Sequence, residues 1–302
     1  MPPEETHTLS TPRLNIIGCG RAAGSLARLW LASDAVEIGD VLNRSLPSSK
    51  RAVREIGAGK AARTIAGMQS AECWLIGTGD DQIEAVAATM REARPDLRGA
   101  LVFHLAGRFG LEPLAPLAGQ GTCLAALHPV RSLTHEQLAL DDFAGTACVA
   151  EGAEPALDRL EPLVRAIRGL WLPVRDIDRG LYHAAVSIVS NVTKGVAWKA
   201  QKWLEHAGLS ESTSTAVTQQ LLASTVEDLA RSGARHSITG PVVRGDTRTI
   251  EAHLRALQSA YPSDVDVYRI LARTVLELAQ ERGDLDEDTL RRFAGLLGGR
   301  PG

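Results

Sequence analysis

The chain has little of what would tie it to nucleic acid, metal or membrane. Its 302 residues include 33 Lys and Arg against 36 Asp and Glu, a formal net charge of −3, and the basic residues are scattered rather than gathered in a block. A phosphate backbone needs a basic footprint, so nucleic acid is not an expected partner. Only four cysteines occur, Cys19, Cys73, Cys123 and Cys148, far apart and with no CxxC pair. That spacing indicates neither a zinc site nor a disulfide framework, and it predicts buried, reduced thiols. No stretch approaches the ~18 uncharged apolar residues of a membrane span. The opening residues "MPPEETHTLSTPR" also lack the basic and apolar regions of a signal peptide. The expectation is a cytoplasmic protein. Neither internal repeats nor low-complexity segments occur.

What is present is enough apolar residue, 44% of the chain, to bury a full core over roughly two domains. β-rich runs at 14–18, 37–42, 62–65, 73–77, 101–104 and 123–127 alternate with helical patterns at 21–32, 48–56, 81–93 and 110–118. A further strand pair, 146–150 and 170–174, brackets a helix over 154–169. This alternation predicts a Rossmann-type, doubly wound, mostly parallel α/β sheet with helices on both faces. After residue 176 the strand signals stop, and helices are expected over 178–206, 212–232, 246–260, 263–282 and 286–297. The expected domains are therefore 1–176, an α/β domain, and 177–302, an all-helical C-terminal domain. "SEST", "DTRT" and "DEDT" place Ser or Asp ahead of an apolar-periodic run, a candidate cap for three of these helices.

Gly18-Cys19-Gly20-Arg21-Ala22-Ala23-Gly24 fits GxGxxG between the first strand and the first helix. The first glycine permits a sharp turn, the second lets backbone approach a pyrophosphate, and the third is expected to let helix and sheet pack closely. The helix N-terminus then offers N–H groups and a positive dipole end. About 20 residues further on, where an NAD site places Asp or Glu, stand Asn43, Arg44 and Ser45. A cation with two hydrogen-bonding groups suits a 2′-phosphate, which points to NADP, although Arg44 also reads as an ordinary solvated loop residue. Asp40 falls inside the strand, too early to hold the ribose. A flavin or deazaflavin in the same cradle is an alternative.

Ligands in an open α/β sheet gather outside the C-terminal strand ends. There Gly77, Thr78 and Gly79 are expected to run along the cofactor, with Asp80 or Asp81 capping the next helix. "HLAG" places His104 and Ala106 at the cofactor and Gly107 where backbone approaches a ring; "LHPVRS" adds His128 and Arg131. The two histidines are expected to converge on one crevice. The helix from Asp178 should be largely buried, yet His183, Ser187, Asn191 and Lys194 recur at spacings of four, four and three, forming one polar stripe. Such groups need partners from the protein or from a ligand. Gly240-Pro241 and Gly245 frame a tight loop in which Arg244 is a cation for a carboxylate or phosphate.

With these residues in hand, the chain resembles the Rossmann-like relatives of pyrroline-5-carboxylate reductase, ketopantoate reductase and the 6-phosphogluconate and 3-hydroxyisobutyrate dehydrogenases. It is more narrowly similar to a branch with a C-terminal domain of unknown function. The matching segments are "IIGCGRAAGSLA", "NRS", "HLAG", "LHPVRS", "LYHAAVSIVSN" and "TGPVVRGD". The resemblance implies an NADP-binding domain, a dimerising helical domain and a substrate pocket between them. It also implies a lysine or asparagine near the nicotinamide, and Asn191 sits where that asparagine is expected. Lys194 departs from the apolar residue usual in the branch, and "GTGDD" replaces its "VPDD". The expected activity is hydride transfer to or from a small carbonyl, imine or hydroxy acid. Asn191 and Ser187 would polarise the substrate, His183, His128 or Lys194 would handle the proton, and Arg131 or Arg244 would hold a carboxylate. The alternative is a non-catalytic NADP-binding sensor or assembly protein.

Overall fold

A computed structural model describes residues 11–133 and 138–298. By internal contact the chain divides into one compact unit reaching Val192 and another beginning at Thr193. The start of the helical region thus groups with the sheet rather than with the helices that follow.

The first unit holds β1 (Arg13–Ile17), α1 (Arg21–Ala32), β2 (Glu37–Leu42), α2 (Leu46–Ile56), β3 (Lys60–Ala61), β4 (Cys73–Ile76), α3 (Ile83–Ala93), β5 (Leu101–His104), β6 (Cys123–Pro129), α4 (Leu140–Phe143), β7 (Ala147–Gly152), α5 (Glu154–Ala166), β8 (Leu170–Pro173) and α6 (Arg179–Ser187). The sheet order is β3-β2-β1-β4-β5-β6-β7-β8, and every pairing is parallel except β6 with β7. The strand order reverses between β1 and β4, the switch point at which such sheets take their ligands. All four residues of both β4 and β5 are buried, as strands covered on two faces require. One core cluster joins α1, α2 and α5 to the sheet through Leu26, Trp30 and Leu160. The other packs α3 on it through Ile83, Ala87 and Met90. Trp30 Nε1–H donates to Leu163 O at 2.9 Å and its ring meets Phe103 edge-on at 6.0 Å, tying α1 to α5 and β5.

The second unit contains α7 (Thr193–His206), α8 (Glu211–Ser237), α9 (Thr247–Ala260), α10 (Val265–Arg282) and α11 (Glu287–Leu297). Ser210, Asp246 and Asp286 cap α8, α9 and α11, each accepting from a main-chain N–H three residues on. Val242, Ile250, Phe293 and Leu297 form its small core. Asp264 takes both the Lys199 ammonium at 2.6 Å and Trp203 Nε1–H at 3.1 Å, joining α7 to the start of α10.

Several expectations are corrected. The 110–118 segment forms a 3₁₀ turn over Glu112–Leu117 instead of an α-helix, because Pro113 and Pro116 remove backbone donors. The helix expected over 178–206 is interrupted by a π turn, Ile188–Val192, between α6 and α7. Nor is that helix largely buried: Leu181, Ile188 and Val189 are 70%, 60% and 77% exposed. The third glycine of the turn is not the close-packing one either. A Cβ on Gly24 would meet only ordinary contacts, at 3.5 Å from Cys19 Sγ, whereas one on Gly77 would lie 2.5 Å from Gly18 O and 2.6 Å from Ala23 Cβ.

Gly77→Ala should therefore destabilise the first unit by about 1–3 kcal/mol, the usual cost of overpacking. Gly24→Ala should leave stability unchanged or slightly raised, since alanine favours a helix interior. Urea unfolding of the two variants beside the parent checks both.

Candidate functional site

The site begins where β1 ends. Gly18, at φ +83°, turns the chain, and its missing Cβ makes room for Thr78, whose Cγ2 would otherwise lie 2.5 Å away. Its N–H donates to Leu42 O at 2.7 Å, and Cys19 N–H donates to Asn43 Oδ1 at 2.7 Å, which pins the loop to the end of β2. The next four amides, of Gly20, Arg21, Ala22 and Ala23, have no acceptor among the described residues. No acidic side chain occupies the first turn of α1 and no side chain caps it. A Cβ on Gly20 would meet nothing closer than 3.9 Å, so the space over these amides is open. Thr78 Oγ1, just past the end of β4, is buried without a partner among the described residues. Unanswered donors at the positive end of a helix form an anion cradle, and the residues fit a pyrophosphate.

Two cavities flank this cradle. One, of about 620 Å³, reaches Asn43, Arg44, Ser48 and Arg63, and the other, of about 520 Å³, reaches Arg21, Arg28 and Arg51. Arg44 is exposed and makes no ion pair or hydrogen bond among the described residues. Arg51 and Arg63 went unnoticed in the sequence. Arg63 follows β3, so the rule that ligands collect beyond C-terminal strand ends was the signal for it. Asp40 is buried, and its Oδ2 accepts from Gln69 N–H at 2.6 Å, which leaves it unavailable to a ribose. Ser45 is corrected: its hydroxyl caps α2 by accepting from Ser48 N–H, and Ser48 takes its place at the cavity. Cys19 is corrected as an amide donor, because Asn43 already occupies its N–H. Burial pushes its thiol up to about 11, and those of Cys73 and Cys148 up to about 11 and about 12, so all three stay protonated.

A third space, a cleft of about 970 Å³, shares Gly20, Arg21, Gly77, Thr78 and Gly79 with the cradle region. Its other wall comes from the residues after β6 and from α6 with the π turn. His128, Arg131, His183, Ser187, Ser190 and Asn191 all line it. The π turn carries Ser190 and Asn191, which join Ser187 at the cleft at the i, i+3, i+4 spacing of one helix face. Such turns gather at functional sites. Lys194 opens α7 in the second unit and Arg244 lies there also; neither is among the residues lining this cleft.

The two histidines do not converge. His104 is fully buried: its Nδ1 accepts from Ala106 N–H at 3.1 Å and its Nε2–H donates to Gly110 O at 2.7 Å. Burial also lowers its pKa. It shapes the loop, and neither it nor Ala106 lines the cleft, where Leu105 stands instead. His128 stays at the cleft, within β6 rather than beyond it. Its Nδ1 lies 2.8 Å from Tyr182 Oη, and the ring that Gly107 approaches is this imidazole, since a Cβ there would sit 2.7 Å from His128 Cε1. Burial, then the charges of His183 and Arg179, lowers the His128 pKa to about 4. The aspartates after β4 do not cap α3: Asp80 pairs with Arg108 at 3.4 Å, and Asp81 lines the cavity beside Arg44. No cluster of metal-ligating side chains occurs among the described residues.

An open parallel sheet with a glycine turn and a bare helix N-terminus at its switch point defines a Rossmann-type architecture. Residues 1–129 match the Rossmann-like domain family, and residues 146–275 match the domain of unknown function DUF2520. The chain thus joins a Rossmann-like domain to a DUF2520 domain. Among solved structures it is similar to a protein named as an NADP oxidoreductase from Bacteroides fragilis, at 20% identity and a TM-score of 0.71, over 89% of this chain and 99% of that one. A pyrroline carboxylate reductase from Plasmodium falciparum with NADP bound gives 12% and 0.59 over 96% and 99%. An imine reductase from Myxococcus stipitatus in complex with NADP+ gives 16% and 0.57 over 89% and 93%. At these identities the likeness is one of fold. Comparison with curated proteins found no match. No helix among the described residues is long and apolar enough to cross a membrane.

The lowered pKa values of His104 and His128 fix a pH dependence. Unfolded histidines take up protons as pH falls through about 6.5, while folded His128 does so only near pH 4. Stability is therefore fully present above the unfolded value and is lost as pH falls towards the folded one. The urea midpoint should drop between about pH 7.5 and about pH 5, and His128→Gln should make that drop shallower.

Proposed function

We propose that the chain is an NADP-dependent oxidoreductase that moves a hydride to or from a small carbonyl, imine or hydroxy-acid substrate. The observation that carries this reading is the set of acceptorless amides at the start of α1, bordering through Gly20 and Arg21 the cleft that holds His128, His183, Ser187 and Asn191. The likeness in fold to NADP-bound reductases supports it.

The amides of Gly20, Arg21, Ala22 and Ala23 bind the pyrophosphate, and Arg44 with Arg63 and Ser48 receives the 2′-phosphate. Thr78 Oγ1, left without a partner, and Gly79 face the rest of the cofactor. When bound, the nicotinamide supplies or accepts the hydride. Asn191 and Ser187 polarise the substrate oxygen or nitrogen, and His128 or His183 exchanges its proton. Arg131, exposed at the cleft and without an ion pair among the described residues, is the cation for a substrate carboxylate. Lys194 and Arg244 have no part in this assignment. The exposed apolar side chains of α6, the π turn and α8, Leu181, Ile188, Val189, Leu221 and Val226, fit burial against a second copy in a homodimer.

Arg44→Ala should weaken NADPH binding about 10- to 100-fold, the usual worth of hydrogen bonds to a charged group, and leave NADH binding nearly unchanged, as read by calorimetry. Asn191→Ala should lower kcat about 100-fold with NADPH affinity intact, as read by NADPH oxidation with keto acids, aldehydes and cyclic imines. A protein that binds NADPH yet consumes nothing across that panel would instead be a nucleotide-binding sensor. Light scattering on the eluted protein should give twice the chain mass, and Val189→Glu should reduce it to one.

A further inference from the structure

Tyr182 belongs to none of the roles assigned above, yet it stands one bond from the cleft. Its Oη is 2.8 Å from His128 Nδ1, with the two rings edge-on at 5.7 Å. The rest of the imidazole is fixed as well. Gly107 backbone lies against it so closely that a Cβ would come within 2.7–3.0 Å of Cε1, Nε2 and Cδ2, and His183 stands at 6.3 Å. His128 Nε2 has no partner among the described residues, and the residue lines the cleft. Behind Tyr182, the Arg179 guanidinium lies 5.7 Å from its ring and is held to Glu151 Oε2 through Nε at 2.8 Å and Nη2 at 2.6 Å. Arg179 is only 6% exposed and its Nη1 has no partner among the described residues.

Resting on the oxidoreductase reading, we propose that Tyr182 and His128 form a two-step proton relay, with Tyr182 as the source and His128 as the group that meets the substrate. In the reducing direction, as the hydride reaches the substrate carbon, the Nε2–H bond of His128 breaks and its proton goes to the substrate oxygen or nitrogen. The Tyr182 O–H bond breaks in concert, and its proton goes to Nδ1. Imidazole leaves the step neutral, in the other tautomer, and the phenolate is balanced by Arg179. After product leaves, solvent gives a proton to Nε2 as the Nδ1 proton returns to the Tyr182 phenolate, which restores both the phenol and the starting tautomer. Oxidation runs the same path backwards.

The surroundings favour a relay over a resident charge. A desolvated imidazole flanked by Arg179 and His183 holds an extra proton poorly, which suits a ring that passes one through. Burial raises the Tyr182 pKa, so the hydroxyl is the protonated partner at neutral pH, with Arg179 opposing that shift and Cys148 adding to it. His128 acts on the reacting atoms, and Tyr182 acts through it.

The test is Tyr182→Phe, which keeps the ring over Arg179 and removes only the hydroxyl, with a thermal melt to confirm folding. We expect kcat to fall about 100-fold, within the range for acid–base catalysis, with NADPH affinity and KM changed by less than about twofold. The proton inventory of kcat in mixed H₂O and D₂O should be curved in the parent and linear in the variant. His128→Gln should cost as much alone as together with Tyr182→Phe, since the two residues act as one unit. Nitrogen NMR of the resting protein, which needs no turnover, should show the His128 proton on Nε2 in the parent and on both nitrogens in Tyr182→Phe. A proton on Nδ1 in the parent, or an unchanged kcat in Tyr182→Phe, overturns the relay alone. Failure of the parent to bind NADPH overturns the oxidoreductase reading and the relay with it.

Discussion

Four main-chain N–H groups at the start of α1 have no acceptors among the described residues, and the sheet around them is arranged to keep them so. Gly18 carries the chain out of β1 in a left-handed conformation, Gly77 brings the end of β4 up against it, and Asn43 holds the loop through the Cys19 amide. Orphaned donors at a helix end have a cost unless water or a ligand answers them. Leaving them at the strand-order switch point, with no acidic residue in the first turn, makes this end of the sheet an anion site. The positions of the Arg44 cavity and of the cleft follow from it, because both border the same loop.

Around that cradle, polar groups divide into those that build and those that remain open. Asn43, Ser45, Asp40 and His104 are engaged with main chain and fix loops. Arg44, Arg131, Thr78 Oγ1 and His128 Nε2 keep hydrogen-bonding capacity that no described residue uses, each at a cavity. The same residue types serve both groups, so composition alone does not separate them. His104 and His128 show the difference: both leave the sheet at neighbouring strands, but one has its ring closed between two main-chain groups and the other is held at Nδ1 alone.

The glycine turn, the alternating elements and the change to helices were legible because each rests on local periodicity or on a short backbone motif. Asn191, Ser187 and His183 were legible too, as small polar groups on an otherwise apolar helix. Ser190, three residues past Ser187, follows from the same helical spacing, whereas no side-chain pattern announces the π turn that carries it. Arg63 and Tyr182 were missed for a different reason: they lie beyond intervening elements from the groups they accompany, and only the folded sheet and the α6 packing bring them beside Asn43 and His128. Arg51, on α2 just past Asn43, reads in sequence like any other charged residue of a helix.

By itself the sequence determined a dinucleotide-type turn, a parallel sheet and a helical second half, because strand runs, caps and glycines act within a few residues of one another. Tertiary structure alone decided which polar atoms are occupied. The Cys19 amide, the Ser45 hydroxyl and both His104 nitrogens find partners, while the Arg44 guanidinium and His128 Nε2 find none among the described residues. Hydrogen bonds are fixed by distances between segments distant in sequence, and those distances exist only once the core has closed.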